Sequence, residues 1–393
     1  MRAETTPVSA PATTEIETFV ADDIDEISPR MWDAHLDRDD LQASHQFVRV
    51  CQRSGVEDAK YRHILLTRGG KTVATATLAC MDVRPELLAG SAVRRPVAAA
   101  RKLFPGWLRI PVILGGLPVS FGQSCLRVAQ GEPSAPMLAR FAEEAERFAA
   151  DAGAMVICFK EMDEMEARVA DGLCDLGYFR VPSLPSCHFA LPFADMEELE
   201  RSMRSGYRRQ LHQTFRECRE HQLTVRHIDD WEPLEDILFE LYERVMDRAE
   251  YQLERLNRSF FSTLRLAFGD QANLITVEGP NGEVLAYAMM LHGQRRSTFL
   301  IAGIRYSAKS GLIAYRRAVT ETVADALSHG ARALEMGQTS YGIKTRLGAK
   351  DTSRYLYLRA RSPMLHGVLN KLGGVLFPTH EIPPRRVFQK PQP

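Results

Sequence analysis

The residues best suited to chemistry form one polar run near the C-terminal end of the chain. The sequence predicts a short buried strand at 333–335 and a short helix near 339–347. Ligands in α/β folds usually bind where strands end, and Tyr341 and Lys344, three residues apart, project from one side of a helix. The run is therefore a candidate active site; the alternative is an ordinary capped helix with a solvated lysine. Its polar members are Glu335, Gln338, Thr339, Ser340, Tyr341 and Lys344.

Two residues of a predicted strand at 283–292 are candidate substrate contacts. His292 ends that strand and can face a cleft, although a lone histidine in such a place is more often structural. Tyr287 of the same strand and Tyr315 of the following helix fit the core or the wall of a cleft better than a catalytic role. His292 and Tyr287 are both kept as candidates for substrate binding.

An arginine-rich helix is predicted between the two halves of the chain. Its apolar stripe repeats every four residues, at Met203, Tyr207, Leu211 and Phe215. Arginine side chains suit phosphate or carboxylate groups, so Arg208 is a candidate for substrate binding. The alternative is a solvated face balanced by nearby glutamates, and the basic loop at 94–102 poses the same choice. The arginines of the helix are Arg201, Arg204, Arg208, Arg209, Arg216 and Arg219.

The overall composition is that of a globular protein with enough chain for two domains. The 393 residues contain 50 basic and 50 acidic side chains, so the formal net charge is zero. This balance argues against DNA or anionic lipid as a partner bound by bulk charge, although not against a local basic groove.

The cysteines and the N-terminus indicate a cytoplasmic protein. The seven cysteines are odd in number and include no CxxC pair, which predicts reduced thiols. No CxxC or HExxH pattern indicates zinc, so no metal is expected. Residues 1–20 lack the features of a signal peptide and are interpreted as a disordered leader. No apolar run reaches 18 residues, so no membrane span is expected.

The order of predicted elements occurs twice along the chain. Each half contains helices, a hairpin, a strand, a long helix, a strand, a short helix and a closing strand. The hairpins turn at Arg68-Gly-Gly-Lys71 and at Gly279-Pro-Asn-Gly282, and the long helices cover 133–152 and 312–329. The fold class is therefore mixed α/β with two tandem modules, at 21–193 and 194–393.

Three segments resemble the FemAB-like proteins, which consist of two tandem GNAT modules. Ser44-His-Gln-Phe47 with His63 and the first hairpin is similar to their opening, and 203–216 resembles the arginine-rich helix that joins their modules. Glu335-Met-Gly-Gln-Thr-Ser-Tyr-Gly-Ile-Lys344 resembles their strand, turn and helix with a lysine at its end. The resemblance covers residues 25–385.

The resemblance implies an acyltransferase with its active cleft in the second module. Such proteins transfer an acyl or aminoacyl group to an amine, from acyl-CoA, acyl carrier protein or aminoacyl-tRNA. Acyl transfer needs a base for the amine, an acid for the leaving group and polarisation of the carbonyl. Glu335 is then the candidate base, unless it faces solvent. Tyr341 is the candidate acid, and Lys344 matches the family lysine and would stabilise the oxyanion.

The turn before the long helix of the second module is the expected donor site. In GNAT modules the donor lies between two splayed strands, here ending near 302 and 333, and the N-terminus of the next helix faces its phosphates. This chain has Arg305-Tyr-Ser-Ala-Lys-Ser-Gly311 where acetyl-CoA-binding members carry R/Q-x-x-G-x-G/A. Arg305, Lys309, Ser310 and Gly311 can still hold a phosphate, and the alternative is a plain helix cap.

Three functions remain open from the sequence. The first is an N-acyltransferase that uses acyl-CoA or acyl carrier protein and acts on a small amine of metabolism or a cell-envelope precursor. The second is an aminoacyl-tRNA-dependent transferase, supported by the arginine-rich helix. The third is a scaffold with two inactive GNAT modules. The first half lacks a counterpart of Tyr341 and Lys344, so we expect it to be degenerate and to shape the acceptor pocket.

Overall fold

The computed structural model describes residues 15–83, 109–249 and 253–390. The predicted basic loop at 94–102 lies outside these ranges. Among the described residues, α-helices and strands alternate as a mixed α/β fold with two sheets. The mixed α/β class predicted from the sequence is therefore confirmed.

The described residues form fifteen strands and twelve α-helices, numbered in chain order. The strands are β1 (Glu17–Ala21), β2 (Lys60–Arg68), β3 (Lys71–Val83), β4 (Ile110–Gly115), β5 (Leu126–Val128), β6 (Val156–Met162), β7 (Phe179–Pro182), β8 (Ser186–Ala190), β9 (Thr224–Ile228), β10 (Ala272–Glu278), β11 (Val284–His292), β12 (Arg296–Ile304), β13 (Ala333–Gly337), β14 (Lys350–Thr352) and β15 (Tyr355–Ala360). The helices are α1 (Pro29–Trp32), α2 (His45–Ser54), α3 (Ser134–Ala152), α4 (Glu164–Ala170), α5 (Gly172–Asp175), α6 (Met196–Ser202), α7 (Ser205–Glu220), α8 (Glu235–Met246), α9 (Arg258–Phe268), α10 (Gly311–Ser328), α11 (Tyr341–Leu347) and α12 (Pro363–Leu376).

Each sheet contains one parallel pair of strands, and a long helix connects the two strands of that pair. The first sheet has the order β1-β2-β3-β4-β6-β15-β7, and β5 pairs with β3. The second has the order β14-β8-β13-β12-β11-β10-β9. The parallel pairs are β4 with β6 and β12 with β13, and α3 and α10 connect them. The duplicated order predicted from the sequence is thus present in the fold.

The two halves exchange strands. β8, from the first half of the chain, lies between β14 and β13 of the second sheet. β15, from the second half, lies between β6 and β7 of the first sheet. The division between residues 193 and 194 proposed from the sequence therefore does not coincide with the boundary between the sheets.

The interpretation of residues 1–20 as a disordered leader is wrong for the end of that segment. Residues 17–21 form β1, which pairs antiparallel with β2 from Glu17 opposite Thr67 to Ala21 opposite His63. The β-forming run Thr18-Phe-Val20 has an available sheet edge to join, and the sequence alone does not show that edge.

The arginine-rich helix, predicted from the sequence as one helix with arginines from Arg201 to Arg219, is divided at Met203 and Arg204. Met203 forms an isolated bridge with Phe388, and the Arg204 amide donates to the Val387 carbonyl at 2.8 Å. The C-terminal segment thus satisfies backbone groups that a continuous helix would have used. No helix in the described part of the chain combines the length and apolarity needed to cross a membrane.

Candidate active cleft

A cavity of about 490 Å³ lies where the two sheets meet, with walls from both halves of the chain. Its walls are mainly apolar, and helix α12 contributes Leu365, Leu369 and Leu376. Charged side chains are few and come from both halves, as Lys160, Glu161, Glu254 and Lys344. A large apolar pocket with a few convergent polar groups is the usual form of a small-molecule site.

Splayed strands open both sheets onto this cavity. β12 and β13 pair only from Arg296 opposite Ala333 to Thr298 opposite Glu335. Beyond that point, 299–302 and 336–338 line the cavity instead of pairing with each other. β4 and β6 likewise pair as far as Gly115 opposite Phe159, and 119–122 and 160–161 then line the same cavity. The backbone groups freed by each splay are available to a bound molecule.

Lys344 is buried in the cavity wall at the end of β13. Only 3% of the residue is exposed, and its ammonium donates to the Gln338 carbonyl at 2.7 Å and lies 3.4 Å from the Gly337 carbonyl. Burial lowers the pKa of Lys344 to about 8, because no carboxylate offsets the loss of water. The side chain can therefore exchange a proton near neutral pH.

The turn before α11 is strained and faces the cavity. Thr339 and Ser340 have φ values of 62° and 48°, a left-handed conformation that non-glycine residues rarely adopt. Both residues line the cavity, and the Gln338 amide donates to the Leu184 carbonyl at 2.8 Å, which fixes the turn to the segment before β8. The hydroxyls of Thr339 and Ser340 are thus held at the cavity wall.

The first half contributes a buried charged cluster that the sequence analysis passed over. Lys160 is 2% exposed, its ammonium lies 3.5 Å from the Glu161 carboxylate, and its stem packs beneath Gly116, where a Cβ would lie 3.3 Å from Cγ. Burial alone would lower the pKa of Lys160, but the carboxylates of Glu161 and Glu254 raise it above its ordinary value. Lys160 is therefore a fixed positive charge in an apolar cavity.

Glu254 completes this cluster from the loop before α9. The residue is half-buried and lines the cavity. Burial raises the pKa of Glu254 to about 7, although Lys160 acts in the opposite direction. Glu161 has a φ of 63° and accepts a short hydrogen bond from Ser120. The only sequence signals for this cluster are a lysine and a glutamate at the end of an apolar strand.

Glu335 and Tyr341 do not line the cavity. Glu335 is 5% exposed and binds the Nδ1 atom of His188 at 2.8 Å. The Tyr341 hydroxyl donates to the Pro185 carbonyl at 2.9 Å. Glu335 therefore links β13 to β8, and Tyr341 links α11 to the segment before β8. The structure does not bring either side chain together with Lys344 at the cavity wall.

His292 and Tyr287 also lie away from the cavity. The Tyr287 hydroxyl donates to the Leu238 carbonyl at 3.0 Å in the apolar core. His292, 6% exposed, contacts Ser297, Asn273 and Asp325. The strand that carries both residues, β11, does not line the cavity, whereas its neighbour β12 does.

The loop 305–311 lies outside the cavity, at the start of α10, whose Tyr315 reaches the cavity wall. Arg305 donates from Nε to the Val284 carbonyl at 3.0 Å and holds the loop on β11. A Cβ on Gly311 would overlap the Arg305 carbonyl, so this position needs glycine. Ser310 precedes the helix without a side-chain cap, which leaves backbone N–H groups of the first turn available.

The arginine-rich helix α7 forms a separate basic groove. Met203 and Leu211 are buried, and Tyr207 and Phe215 pack against the same core, as the stripe predicts. Arg208 lies 3.5 Å from the Glu200 carbonyl, and Glu200 also binds His212. The groove does not join the main cavity. Its walls are Ser205, Arg208, Arg209, His212, Arg216 and Arg219.

Known proteins match both the sequence and the fold. Residues 201–345 match the family model described as acetyltransferase (GNAT) domain. FemX has a TM-score of 0.57 with 15% identity, covering 90% of this chain and all of that one. The tandem GNAT protein from the clavulanic acid biosynthesis pathway has a TM-score of 0.53 with 12% identity, covering 89% of this chain and 99% of that one. Residues 201–345 thus match a GNAT domain, and the chain as a whole has a fold similar to these tandem GNAT structures.

Sequence relatives of this chain include two longer proteins. Both are described as putative 8-amino-7-oxononanoate synthase 2, from two strains of Mycobacterium tuberculosis, and are 24% identical over 338 residues. The match covers 82% of this chain and 42% of the relatives, so the chain spans less than half of their length. The family model and the tandem fold confirm the GNAT architecture inferred from the sequence, and the description of the family model, acetyltransferase, agrees with the acyltransferase class.

Proposed function

We propose that this acyltransferase moves an acyl group from a thioester donor, acyl-CoA or acyl carrier protein, to the amine of a small acceptor. The observation that supports this most directly is the cavity itself. It is mainly apolar, it begins between the splayed strands β12 and β13, and its few ionisable groups are matched to acyl transfer. In this proposal the acyl chain occupies the apolar part, under α12.

Two groups in the cavity wall have pKa values suited to the proton transfers. Glu254, with a pKa near 7, would accept the proton of the attacking amine. Lys344, with a pKa near 8, would donate a proton to the departing thiolate, whose thiol has a pKa of about 8.5. The amine nitrogen then bonds to the carbonyl carbon as the carbon–sulfur bond breaks.

The remaining positive charge would act on the carbonyl oxygen. Lys160 stays charged because Glu161 and Glu254 raise its pKa, and a charge in a dry cavity stabilises an oxyanion strongly. Tyr341 and Glu335 then act as positioning residues, which hold α11 and β13 against β8. Lys309, Ser310 and the first turn of α10 would receive the donor phosphates.

A chain-length series tests the proposed donor. Non-hydrolysable acyl-CoA analogues with acyl chains of increasing length should bind with rising affinity, by about fourfold for each buried methylene, until the cavity is full. Isothermal titration calorimetry measures this directly. Equal affinity for short and long chains would contradict an acyl group in the cavity.

Two leucines of α12 provide a matched pair of variants. Leu369 lines the cavity, whereas Leu372 on the same helix is 45% exposed. Leu369→Trp should weaken binding of the longer analogues and spare the shortest, and Leu372→Trp should change neither.

We place the reaction in the cytoplasm, since all seven cysteines are free thiols, as expected in a reducing compartment.

The basic groove on α7 supports a second candidate, aminoacyl transfer from a charged tRNA. Four arginines in one groove suit a phosphate backbone, with affinity that falls steeply with salt. In this case, Arg209→Ala and Arg216→Ala should lower the affinity for charged tRNA in a filter-binding assay, while Arg140→Ala on α3 should not. Salt-independent binding, or none, would leave the thioester donor as the candidate.

A further inference from the structure

A cluster of three histidines surrounds one buried aspartate, away from the cavity. Asp325, in the last turn of α10, has a side chain only 2% exposed. Its carboxylate lies 3.2 Å from Nε2 of His292 on β11 and 3.2 Å from Nδ1 of His227 on β9. His329, four residues after Asp325 and at the end of the same helix, lies 3.8 Å from it. The proposed acyl transfer uses none of these groups.

His292 and His329 both have their Nδ1 atoms occupied by other partners. Nδ1 of His292 lies 2.9 Å from the Ser297 hydroxyl, and Nδ1 of His329 lies 2.9 Å from the Asp325 carbonyl. The carbonyl only accepts, so Nδ1 of His329 carries the proton and Nε2 has a free lone pair. Histidines that bind metals show this arrangement, in which the second nitrogen donates to an oxygen that fixes the ring.

The second oxygen of the aspartate lacks a well-aligned hydrogen bond. Asn273 donates to Oδ1 at 2.9 Å. Oδ2 lies 3.2 Å from Nε2 of His292, but it has no hydrogen bond of suitable geometry in the described residues. A buried carboxylate oxygen normally has an aligned partner. The rings of His292 and His329 stack in parallel 3.8 Å apart.

We propose that His292, Asp325 and His329 bind a divalent transition metal of the zinc class. Their ligand atoms lie within 4.8 Å of one another, and rotation of the exposed His329 ring out of its stack on His292 would direct its lone pair toward the other two ligands, at the spacing of about 3.3 Å found in tetrahedral zinc sites. Water would be the fourth ligand, and the exposed His329 leaves an entry path. The metal would fasten the end of α10 to β11, and its binding would release the proton from Nε2 of His292.

Sequence spacing alone does not reveal this site. Its members stand at positions 292, 325 and 329, on β11 and around the end of α10, so no short motif contains them. The expectation of no metal rested on the absence of CxxC and HExxH patterns, which detect only ligands close together in sequence.

Metal titration of the tag-free full chain tests the proposal. Equilibrium dialysis against Zn²⁺ followed by elemental analysis should give one zinc per chain, and thermal unfolding should move upward by several degrees. With Co²⁺ as the probe, a visible absorption band of tetrahedral type should appear. Absence of stoichiometric binding in the wild-type chain would overturn the proposal.

Matched variants separate a site from adventitious binding. His329→Gln changes a half-exposed ligand and should keep the fold while it lowers zinc affinity by at least about tenfold. His221→Gln, an exposed histidine in the turn after α7, should leave the affinity unchanged. Asp325→Asn should abolish binding; should that variant fail to fold, His329→Gln remains decisive, and wild-type zinc affinity in it would refute the site.

Discussion

At the residue scale, the cavity depends on charges that the fold keeps away from water. Lys344 has two backbone carbonyls as partners, at Gln338 and Gly337, and no carboxylate partner among the described residues. Lys160, by contrast, has Glu161 beside it. The two lysines therefore differ in pKa although both are buried, because only one has its charge compensated.

Replacing Lys344 by methionine should change how stability depends on pH. The folded pKa is about 8 and the ordinary value is 10.5, so between these pH values the unfolded chain binds more protons and stability rises with pH. Lys344→Met should lose that rise, which amounts to up to about 3 kcal/mol. Urea unfolding of both proteins at pH 7 and pH 10.5 measures it, and parallel behaviour would show that Lys344 is not buried as a titrating group.

The proposed base predicts the acidic limb of the rate profile. Glu254 must be ionised to accept a proton, so kcat/KM should rise as the pH passes through about 7. Glu254→Gln should lower the rate by about 10²- to 10⁴-fold and remove this limb. Glu243→Gln, on the outer side of α8 and paired with Arg255, is the control and should keep it. Persistence of the limb in Glu254→Gln would assign it to another group.

The sequence predicts some of these residues and misses others for physical reasons. Gln338, Thr339, Ser340 and Lys344 follow directly after one strand, so local pattern is sufficient to place them at a strand end. Glu254 reaches the cavity from a loop, and only the packing of the two halves brings it near Lys160. No property of the residue itself distinguishes Glu254 from the many surface glutamates.

At the element scale, the start of α10 depends on one close backbone contact. The loop folds back so that the Arg305 carbonyl occupies the place of a side chain at Gly311. The sequence has an incomplete glycine pattern in this loop. Its one glycine, Gly311, stands at the position where the backbone path leaves no room for a side chain.

Gly311→Ala should therefore destabilise the protein and weaken donor binding. The added methyl group must displace backbone, which typically costs about 1–3 kcal/mol. Gly206→Ala, in the first turn of α7 where no atom lies within 4 Å of the added Cβ, should be neutral or slightly stabilising. Thermal unfolding compares the two, and equal melting temperatures would contradict the tight loop.

At the scale of the whole molecule, the exchanged strands make the two halves interdependent. β8 supplies the partner of both β13 and β14, and β15 supplies the partner of both β6 and β7. The sequence predicts a closing strand in each half, and each is expected in the sheet of its own half. Pairing between distant segments depends on how the sheets pack, and the local pattern of a strand does not indicate which strand it pairs with.

Separate expression of 1–193 and 194–393 should therefore fail to give two folded domains. Each fragment lacks the strand next to one edge of its sheet and carries a strand that has lost its own sheet, and exposed sheet edges promote aggregation. Co-expression of the fragments should restore a soluble complex, as seen by size-exclusion chromatography and circular dichroism. A cooperative unfolding transition in the isolated fragment 194–393 would show that the exchange is dispensable.

The position of β15 in the sequence also determines when the first sheet can be completed during synthesis. The nascent chain completes β6 at Met162, but the strand that covers that edge begins only at Tyr355. A ribosome adding about 5–20 residues per second needs roughly 10–40 s to reach it. Throughout that time β6 lacks its neighbour β15, and β7 lacks the one sheet neighbour that it has among the described residues. We therefore expect the nascent chain to need protection by chaperones until β15 emerges.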